Sequence, residues 1–256
     1  MNQTELLEEI LHLARDAGKA IMTIYAKDFT VEYKDDNSPV TDADLAAHRI
    51  IAAKLAELTP EIPVLSEENA SISWQERQQW QRYWLVDPID GTKEFIKKNG
   101  EFTVNIALIK NGEPVLGVVH APALNVSYLA AEAIGAFREC GEARIELKVT
   151  KVPNQGTIKV VGSRSHPSPD LADYLSQFED VDMVPKGSSL KLCLVAEGAA
   201  DVYPRLGPTS EWDTAAGHAV AAIAGARVSQ LDGTPLRYNQ KDSYLNPYFV
   251  VSRLES

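Results

Sequence analysis

The sequence predicts an α/β protein whose largely antiparallel first part is followed by a second part of alternating strands and helices. Apolar residues recur at helical spacing over residues 4–25 and 42–58, which indicates two helices packed on a core. Short apolar stretches separated by turn residues follow between residues 102 and 138, and this pattern is typical of an antiparallel meander. Beyond residue 157, short strands alternate with helical stretches, which favours an α/β half.

The individual elements follow from local signals along the chain. Thr41 and Asp44 form a capping-box pattern at the start of the second helix, and Thr59-Pro60 ends it. Asn111-Gly112 predicts a hairpin turn. The predicted strands cover residues 30–33, 62–65, the stretch around 86, 102–109, 114–120, 126–130, 135–138, 159–161, 181–184, 201–205 and 227–229. The other predicted helices cover residues 93–97, 169–178, 190–197 and 214–224, with a surface excursion or short helix at 71–82.

Composition restricts the classes of function. The chain has 256 residues, a hydrophobic fraction of 45% and a formal net charge of −11. This acidic balance argues against general nucleic-acid binding, which needs a basic surface, but divalent cations could still reverse the local field for an anionic substrate. We expect no membrane span and no secretory signal. The two cysteines, Cys140 and Cys193, predict a reducing compartment and buried free thiols.

Around residues 145–157, the succession of short strands gives way to alternating strands and helices, which predicts a junction between two closely packed halves. We expect an N-terminal α+β half, residues 1–148, with the antiparallel sheet and most candidate metal ligands. Residues 149–256 would then form a C-terminal α/β half.

The segment from Asp87 to Thr92 contains several residue types that a cation- and anion-binding site needs. A buried strand around Val86 ends in Asp87, and Pro88 is expected to end the ladder because it has no N–H to donate. Gly91 allows a tight turn or a close approach to a ligand. Ordinary turn chemistry also uses aspartates, but this spacing places the oxygen donors on one side of one turn. Two carboxylates, a flexible backbone and a hydroxyl suit a hard cation together with an anion.

Three more acidic residues follow or begin predicted elements. Glu67 follows a strand, and a solvated loop is its simpler interpretation. Asp213 precedes a helix of small residues, and an ordinary N-cap is its simpler interpretation. Asp44 could only cap the second helix, or it could also face the cleft. Oxygen donors without a nearby histidine favour Mg²⁺ over zinc. Acyl transfer and dinucleotide binding have no supporting motif.

Two segments together resemble the paired signature of the lithium-sensitive, Mg²⁺-dependent inositol monophosphatase superfamily. They are Asp87-Pro88-Ile89-Asp90-Gly91-Thr92 and Trp212-Asp213-Thr214-Ala215-Ala216-Gly217. Glu67-Glu68 and Val40-Thr41-Asp42-Ala43-Asp44 also match segments of the family. The resemblance extends over nearly the whole chain. It implies a layered α-β-α-β-α sandwich, the fold of inositol monophosphatases and fructose-1,6-bisphosphatases.

Four further segments resemble the CysQ type of 3'(2'),5'-bisphosphate nucleotidase within that superfamily. They are residues 90–105, 162–166, 187–191 and 201–205. Inositol phosphatases usually differ where Lys93-Glu94-Phe95 stands here. The resemblance implies substrate contacts from residues of the second half, namely Arg164, Ser165, His166, Ser188, Lys191 and Arg205. Arginine and lysine suit phosphate, although Lys191 and Arg205 could equally be solvent-exposed.

The resemblance also implies a metal site and a mechanism. Two or three Mg²⁺ ions would be held by Glu67, Asp87, the backbone carbonyl of Ile89, Asp90 and Asp213, with Asp87 shared between two of them. The backbone amides of Gly91 and Thr92 would receive the phosphate, and Glu67, Ile89, Asp90 and Asp213 would also line the substrate site. The Thr92 hydroxyl, Glu67 and Asp44 would orient or deprotonate the attacking water, without a covalent phosphoenzyme.

The function implied is a cytoplasmic Mg²⁺-dependent phosphatase that removes the 3'-phosphate of adenosine 3',5'-bisphosphate. A role in sulfur assimilation, lithium inhibition and peripheral association with the cytoplasmic face of the inner membrane are implied in the same way. Two alternatives stay open: an inositol or sugar phosphatase with the same machinery, and a non-catalytic binding protein that keeps the metal site. Intact ligands at every metal position argue against the second alternative.

Overall fold

A computed structural model describes residues 2–27, 31–33, 39–163 and 169–255 of the chain. Within these ranges, helices and sheets alternate in five layers in the order α-β-α-β-α, which confirms the predicted fold class. The helices are α1 (Gln3–Tyr25), α2 (Asp42–Leu58), α3 (Trp74–Arg77), α4 (Thr92–Ile96), α5 (Pro169–Leu175), α6 (Leu190–Ala196) and α7 (Glu211–Ala224), with a 3₁₀ turn at Pro122–Leu124.

The strands form one large sheet, one smaller sheet and a two-stranded ribbon. The ribbon pairs β1 (Val31–Tyr33) with β2 (Pro39–Thr41). The large sheet has the order β3 (Val64–Ser66), β4 (Arg82–Asp90), β5 (Thr103–Lys110), β6 (Glu113–Ala121), β7 (Val126–Ala131), β8 (Gly135–Cys140) and β9 (Ala143–Leu147). The smaller sheet contains β10 (Thr157–Ser163), β11 (Asp180–Lys186), β12 (Val202–Arg205), β13 (Arg227–Gln230) and β14 (Phe249–Ser252).

The large sheet is antiparallel except for the pairing of β3 with β4, which is parallel. The apolar stripes of α1 and α2 cover one face, where Ile10 and Ile51 are fully buried. Helices α6 and α7 cover the other face and separate it from the smaller sheet. Helix α7 can approach β6 closely because Gly117 faces it: a Cβ there would lie 2.5 Å from the Ala216 carbonyl oxygen.

The central hydrophobic layer contains residues from both predicted halves. Leu85 and Ala107 pack in one cluster with Val220 and Val251. A separate cluster lies on the outer face of the smaller sheet, where Tyr174 and Leu175 of α5 and the nearby Phe178 pack against Val160. The division at residues 148 and 149 stays a prediction.

The structure differs from the sequence-based prediction in several elements. Strands β2, β9 and β14 were not predicted. Four of the five residues of β9 are exposed, so this strand lacks the hydrophobic pattern of a buried strand. Helix α7 begins at Glu211 rather than at residue 214, so Asp213 lies in its first turn and Ser210 is the N-cap. Cys140 ends a strand near the sheet edge and is exposed, whereas Cys193 is buried as predicted.

Pro88 interrupts the ladder between β4 and β5 but does not end it. Asp87 pairs with Asn105 and Asp90 pairs with Thr103, so two residues of β4 bulge against one residue of β5. The strand tolerates proline here because a bulge removes the need for its missing N–H. The bulge lies between the two aspartates of the candidate site.

Candidate active site

Three separated segments bring their carboxylates together at one end of the large sheet. Glu67 follows β3, Asp87 lies near the end of β4, and Asp213 lies in the first turn of α7. One oxygen atom of each residue lies within 4.8 Å of the other two. The parallel pairing of Ser66 with Val86 places Glu67 beside Asp87, and the Glu67 backbone N–H donates to the Val86 carbonyl at 3.1 Å.

The bulge and the turn after it complete one pocket. Asp87 Oδ1 accepts a hydrogen bond from the Ile89 backbone N–H at 3.0 Å. Gly91 has a φ of +92°, a left-handed conformation that is strained for other residues, and α4 begins immediately after it. The pocket is lined by Glu67, Asp87, Ile89, Asp90, Gly91, Thr92, Lys93, Glu94 and Asp213. The structure therefore brings together all the predicted metal-ligating residues.

Burial and neighbouring negative charges raise the pKa values of Asp87 and Asp213. Burial raises the pKa of Asp87 well above its ordinary value, and the charges of Glu67, Asp90 and Asp213 raise it further. Burial raises the pKa of Asp213 to about 7, with Asp90 and Glu67 adding to the effect. Such a cluster favours either protons or a cation. Because every side-chain donor is an oxygen, the residues fit a hard divalent cation such as Mg²⁺.

Asp44 contacts both its helix cap and the pocket. Its Oδ2 accepts hydrogen bonds from the Thr41 backbone N–H at 2.8 Å and from the Thr41 hydroxyl at 2.7 Å. Its Oδ1 lies 3.5 Å from the Thr92 hydroxyl, which is also 3.4 Å from the Ile89 carbonyl oxygen. Burial raises the pKa of Asp44 to about 6. The capping interpretation and the cleft-facing interpretation are therefore both compatible with its geometry.

A second pocket adjoins the first and shares Asp90 and Asp213 with it. Lys191 is buried, which excludes the solvent-exposed interpretation for this residue, and its Nζ donates to the Ser188 carbonyl oxygen at 2.6 Å. Arg205 is half-buried and donates to the Pro208 carbonyl oxygen. Burial lowers the pKa of Lys191, while the nearby Asp90 opposes that shift. Two cationic side chains therefore line a polar pocket beside the acidic cluster.

The predicted residues Arg164, Ser165 and His166 lie outside the described residues, so their role stays a prediction. Other residues of the site were not predicted as such. Ser189 donates its backbone N–H to Asp90, and Thr209 donates its hydroxyl to Asp213 at 2.8 Å. Ser189 lies inside the segment 187–191 that carries the family resemblance, whereas Thr209, just before the N-cap Ser210, had no such signal in the sequence.

None of the helices in the described ranges combines the length and apolar character that a membrane span requires.

Comparison with known proteins places the chain among phosphatases of one family. A family model described as the inositol monophosphatase family matches residues 2–253. The chain is 56% identical over 250 residues to a protein of Escherichia coli O157:H7 named 3'(2'),5'-bisphosphate nucleotidase CysQ, covering 96% of this chain and 99% of that one. A protein of the same name from Buchnera aphidicola subsp. Acyrthosiphon pisum is 44% identical over 261 residues, covering 98% and 94%.

Solved structures agree with this assignment. The crystal structure of CysQ from Bacteroides thetaiotaomicron, described as a bacterial member of the inositol monophosphatase family, matches with a TM-score of 0.85 and 41% identity, covering 98% of each chain. An inositol monophosphatase from Anabaena (Nostoc) sp. PCC 7120 matches with a TM-score of 0.79 and 25% identity, covering 99% of this chain and 92% of that one. The chain belongs to the inositol monophosphatase family.

Proposed function

We propose that the chain is a Mg²⁺-dependent phosphomonoesterase that hydrolyses the 3'-phosphate of adenosine 3',5'-bisphosphate to give AMP and phosphate. The observation that supports this most is the acidic cluster beside a second pocket that contains Lys191 and Arg205. Relatives named 3'(2'),5'-bisphosphate nucleotidase, at 56% identity over nearly the full chain, support the choice of substrate. A doubly phosphorylated nucleotide needs two anion-binding regions, and the two adjoining pockets are the candidates for them.

The metal site would be formed by the carboxylates of Glu67, Asp87, Asp90 and Asp213 and the backbone carbonyl of Ile89. When bound, Mg²⁺ ions supply positive charge to the phosphate oxygens and lower the pKa of a water molecule. Burial raises the pKa values of Asp87, Asp90 and Asp213 in the protein alone, so these carboxylates would release any bound protons when the cation binds. Ser189 and Thr209 hold Asp90 and Asp213 in place through hydrogen bonds.

The residues beside the metal ligands would control the attacking water. The Thr92 hydroxyl can donate to Asp44, which leaves its oxygen free to accept a hydrogen bond from the water. Asp44 and Glu67 are then the candidates to take a proton from the water as its oxygen attacks phosphorus. The bond between phosphorus and the ribose 3'-oxygen breaks, and that oxygen takes a proton from solvent to become the 3'-hydroxyl of AMP. Because water is the nucleophile, no covalent intermediate with the protein is required.

The substrate would lie across both pockets. The backbone N–H groups of Gly91 and Thr92 receive the 3'-phosphate in the first pocket. Ser188, Lys191 and Arg205 receive the 5'-phosphate in the second, and a positive charge that is already buried loses little further solvation when the anion binds. Ser165 and His166 complete this set as predictions. Consumption of a by-product of sulfate activation and inhibition by lithium form part of the same proposal.

A panel of phosphate esters tests the proposal. Adenosine 3',5'-bisphosphate should be hydrolysed with a higher kcat/KM than inositol 1-phosphate or fructose 1,6-bisphosphate in the presence of Mg²⁺. Faster turnover of inositol 1-phosphate would instead identify an inositol phosphatase. The variant Asp90→Asn should lose Mg²⁺-dependent turnover while keeping its circular dichroism spectrum, and unchanged activity would exclude the site. Binding without turnover of any ester would support the non-catalytic alternative.

A further inference from the structure

Glu94 is an acidic residue of the first pocket that the metal site does not use. It lies in the first turn of α4, is half-buried, and lines the pocket together with the candidate metal ligands. Its Oε2 atom lies 3.2 Å from the position that a Cβ on Gly91 would occupy, and the Cβ of Ser188 lies 3.3 Å from the same point. The Glu94 carboxylate is therefore located where the turn at Gly91 meets the loop of the second pocket.

The loop containing Ser188 holds the Glu94 side chain in this position. A Cβ on Gly187 would lie 2.9 Å from Glu94 Cγ and 3.0 Å from the Glu101 carbonyl oxygen, so a larger residue would displace one of them. Gly187 is itself fixed, because its backbone N–H donates to Glu101 Oε2 at 2.8 Å. Lys186 adds an ion pair to Glu101 Oε1 at 3.4 Å. The position of Glu94 is thus set by contacts with both pockets.

A carboxylate here is costly for a site that binds a polyanion. Burial raises the pKa of Glu94, and the neighbouring charge of Asp90 raises it further, whereas Lys191 lowers it. An ionised carboxylate repels phosphate because both are negatively charged. It accepts hydrogen bonds, and although the Glu94 backbone N–H donates to it, its remaining lone pairs can accept from a donor group of the ligand. The donors of an adenosine bisphosphate are its ribose hydroxyl and its adenine amino group. The hydroxyl is attached to C2', the neighbour of the carbon that carries the scissile phosphate. It is therefore the donor nearest to the turn at Gly91 when that phosphate is bound there.

We propose that Glu94 is a specificity-determining residue that accepts a hydrogen bond from the ribose hydroxyl adjacent to the scissile phosphate. This inference rests on the proposed function, since it places the 3'-phosphate at Gly91 and Thr92. Glu94 would then select ribonucleotide bisphosphates over their deoxy analogues, because a deoxy substrate lacks the hydroxyl that donates to this half-buried carboxylate.

The test is a cycle of two enzymes and two substrates at one fixed pH of 8. The kcat/KM values of adenosine 3',5'-bisphosphate and 2'-deoxyadenosine 3',5'-bisphosphate are measured for the wild type and for Glu94→Ala. Loss of one negative charge also weakens repulsion of both phosphates, but it does so equally for the two substrates, so their ratio isolates the hydroxyl contact. Glu94→Gln retains a neutral acceptor, and Lys97→Ala changes an exposed residue at the end of the same helix.

We expect the wild type to favour the ribose substrate by roughly 10- to 100-fold. Glu94→Ala should reduce that preference to within about threefold, Glu94→Gln should give an intermediate value, and Lys97→Ala should keep the wild-type value. A preference that is unchanged in Glu94→Ala would overturn the inference and leave the proposed function intact. A wild type that hydrolyses neither bisphosphate would overturn both.

Discussion

Replacing Asp44 by asparagine separates the helix-capping role of this carboxylate from its proposed catalytic role. Oδ2 of Asp44 accepts the two hydrogen bonds from Thr41, and Oδ1 faces the Thr92 hydroxyl. Asparagine has the same shape and can keep its carbonyl oxygen toward Thr41, but its NH₂ group then faces Thr92 as a donor. The variant therefore keeps the helix cap and removes the acceptor on the proposed proton path.

The expected magnitudes of the two effects differ widely. Partial loss of a helix cap costs about 1 kcal/mol or less, which corresponds to a few degrees in Tm for a chain of this size. Loss of a general base or of its orienting acceptor costs about 10²–10⁴-fold in kcat. Burial raises the pKa of Asp44 to about 6, so the carboxylate is ionised above that pH and protonated below it. We therefore expect wild-type kcat to fall as the pH drops through about 6.

The assay is steady-state hydrolysis of adenosine 3',5'-bisphosphate from pH 5 to 9, together with thermal unfolding of the same samples. Glu5→Gln is the matched control, because Glu5 occupies the same capping-box position in α1, remote from the site. It should leave kcat unchanged. If Asp44→Asn retained wild-type kcat at pH 8, Asp44 would only be a helix cap and the proton path through Thr92 would be wrong.

Three other perturbations test separate parts of the site. Without Mg²⁺, the free energy of unfolding should fall as pH rises from about 5 to 8, because burial raises the pKa of Asp213 to about 7. Asp213→Asn should make this slope shallower by up to about 1.4 kcal/mol per pH unit, measured by urea denaturation, and an unaltered slope contradicts it. Lys191→Met should raise KM for adenosine 3',5'-bisphosphate about 10- to 100-fold and change KM for adenosine 3'-monophosphate less than about threefold, since only the former has a 5'-phosphate. Equal increases in KM for the two substrates would contradict the proposed role of the second pocket. Gly91→Ala should destabilise the protein by roughly 1 kcal/mol and lower kcat/KM. Gly141→Ala, also at positive φ but with open space around it, should only destabilise the protein. Equal kcat/KM values for the two variants would refute a phosphate-binding turn at Gly91.

Local signals in the sequence were sufficient for much of the fold. The bounds of α2 agree with the prediction, because a capping box and Thr59-Pro60 mark its two ends. The hairpin at Asn111-Gly112 is confirmed, and both residues have the positive φ that such a turn requires. The prediction was wrong at Pro88, because whether a proline ends a strand or lies in a bulge depends on the neighbouring strand.

The sequence by itself determined the chemistry of the site: which segments contain oxygen donors, and that the segment from Asp87 to Thr92 combines carboxylates with a flexible turn. Only the tertiary structure decided which of these groups meet. Glu67 reaches Asp87 through a parallel strand pair, and Asp213 reaches both because α7 packs on the large sheet. The burial of Lys191 and the position of Glu94 against Gly187 also depend on contacts between distant segments. Backbone propensity and capping act over a few residues, whereas proximity and burial arise from packing of the whole chain.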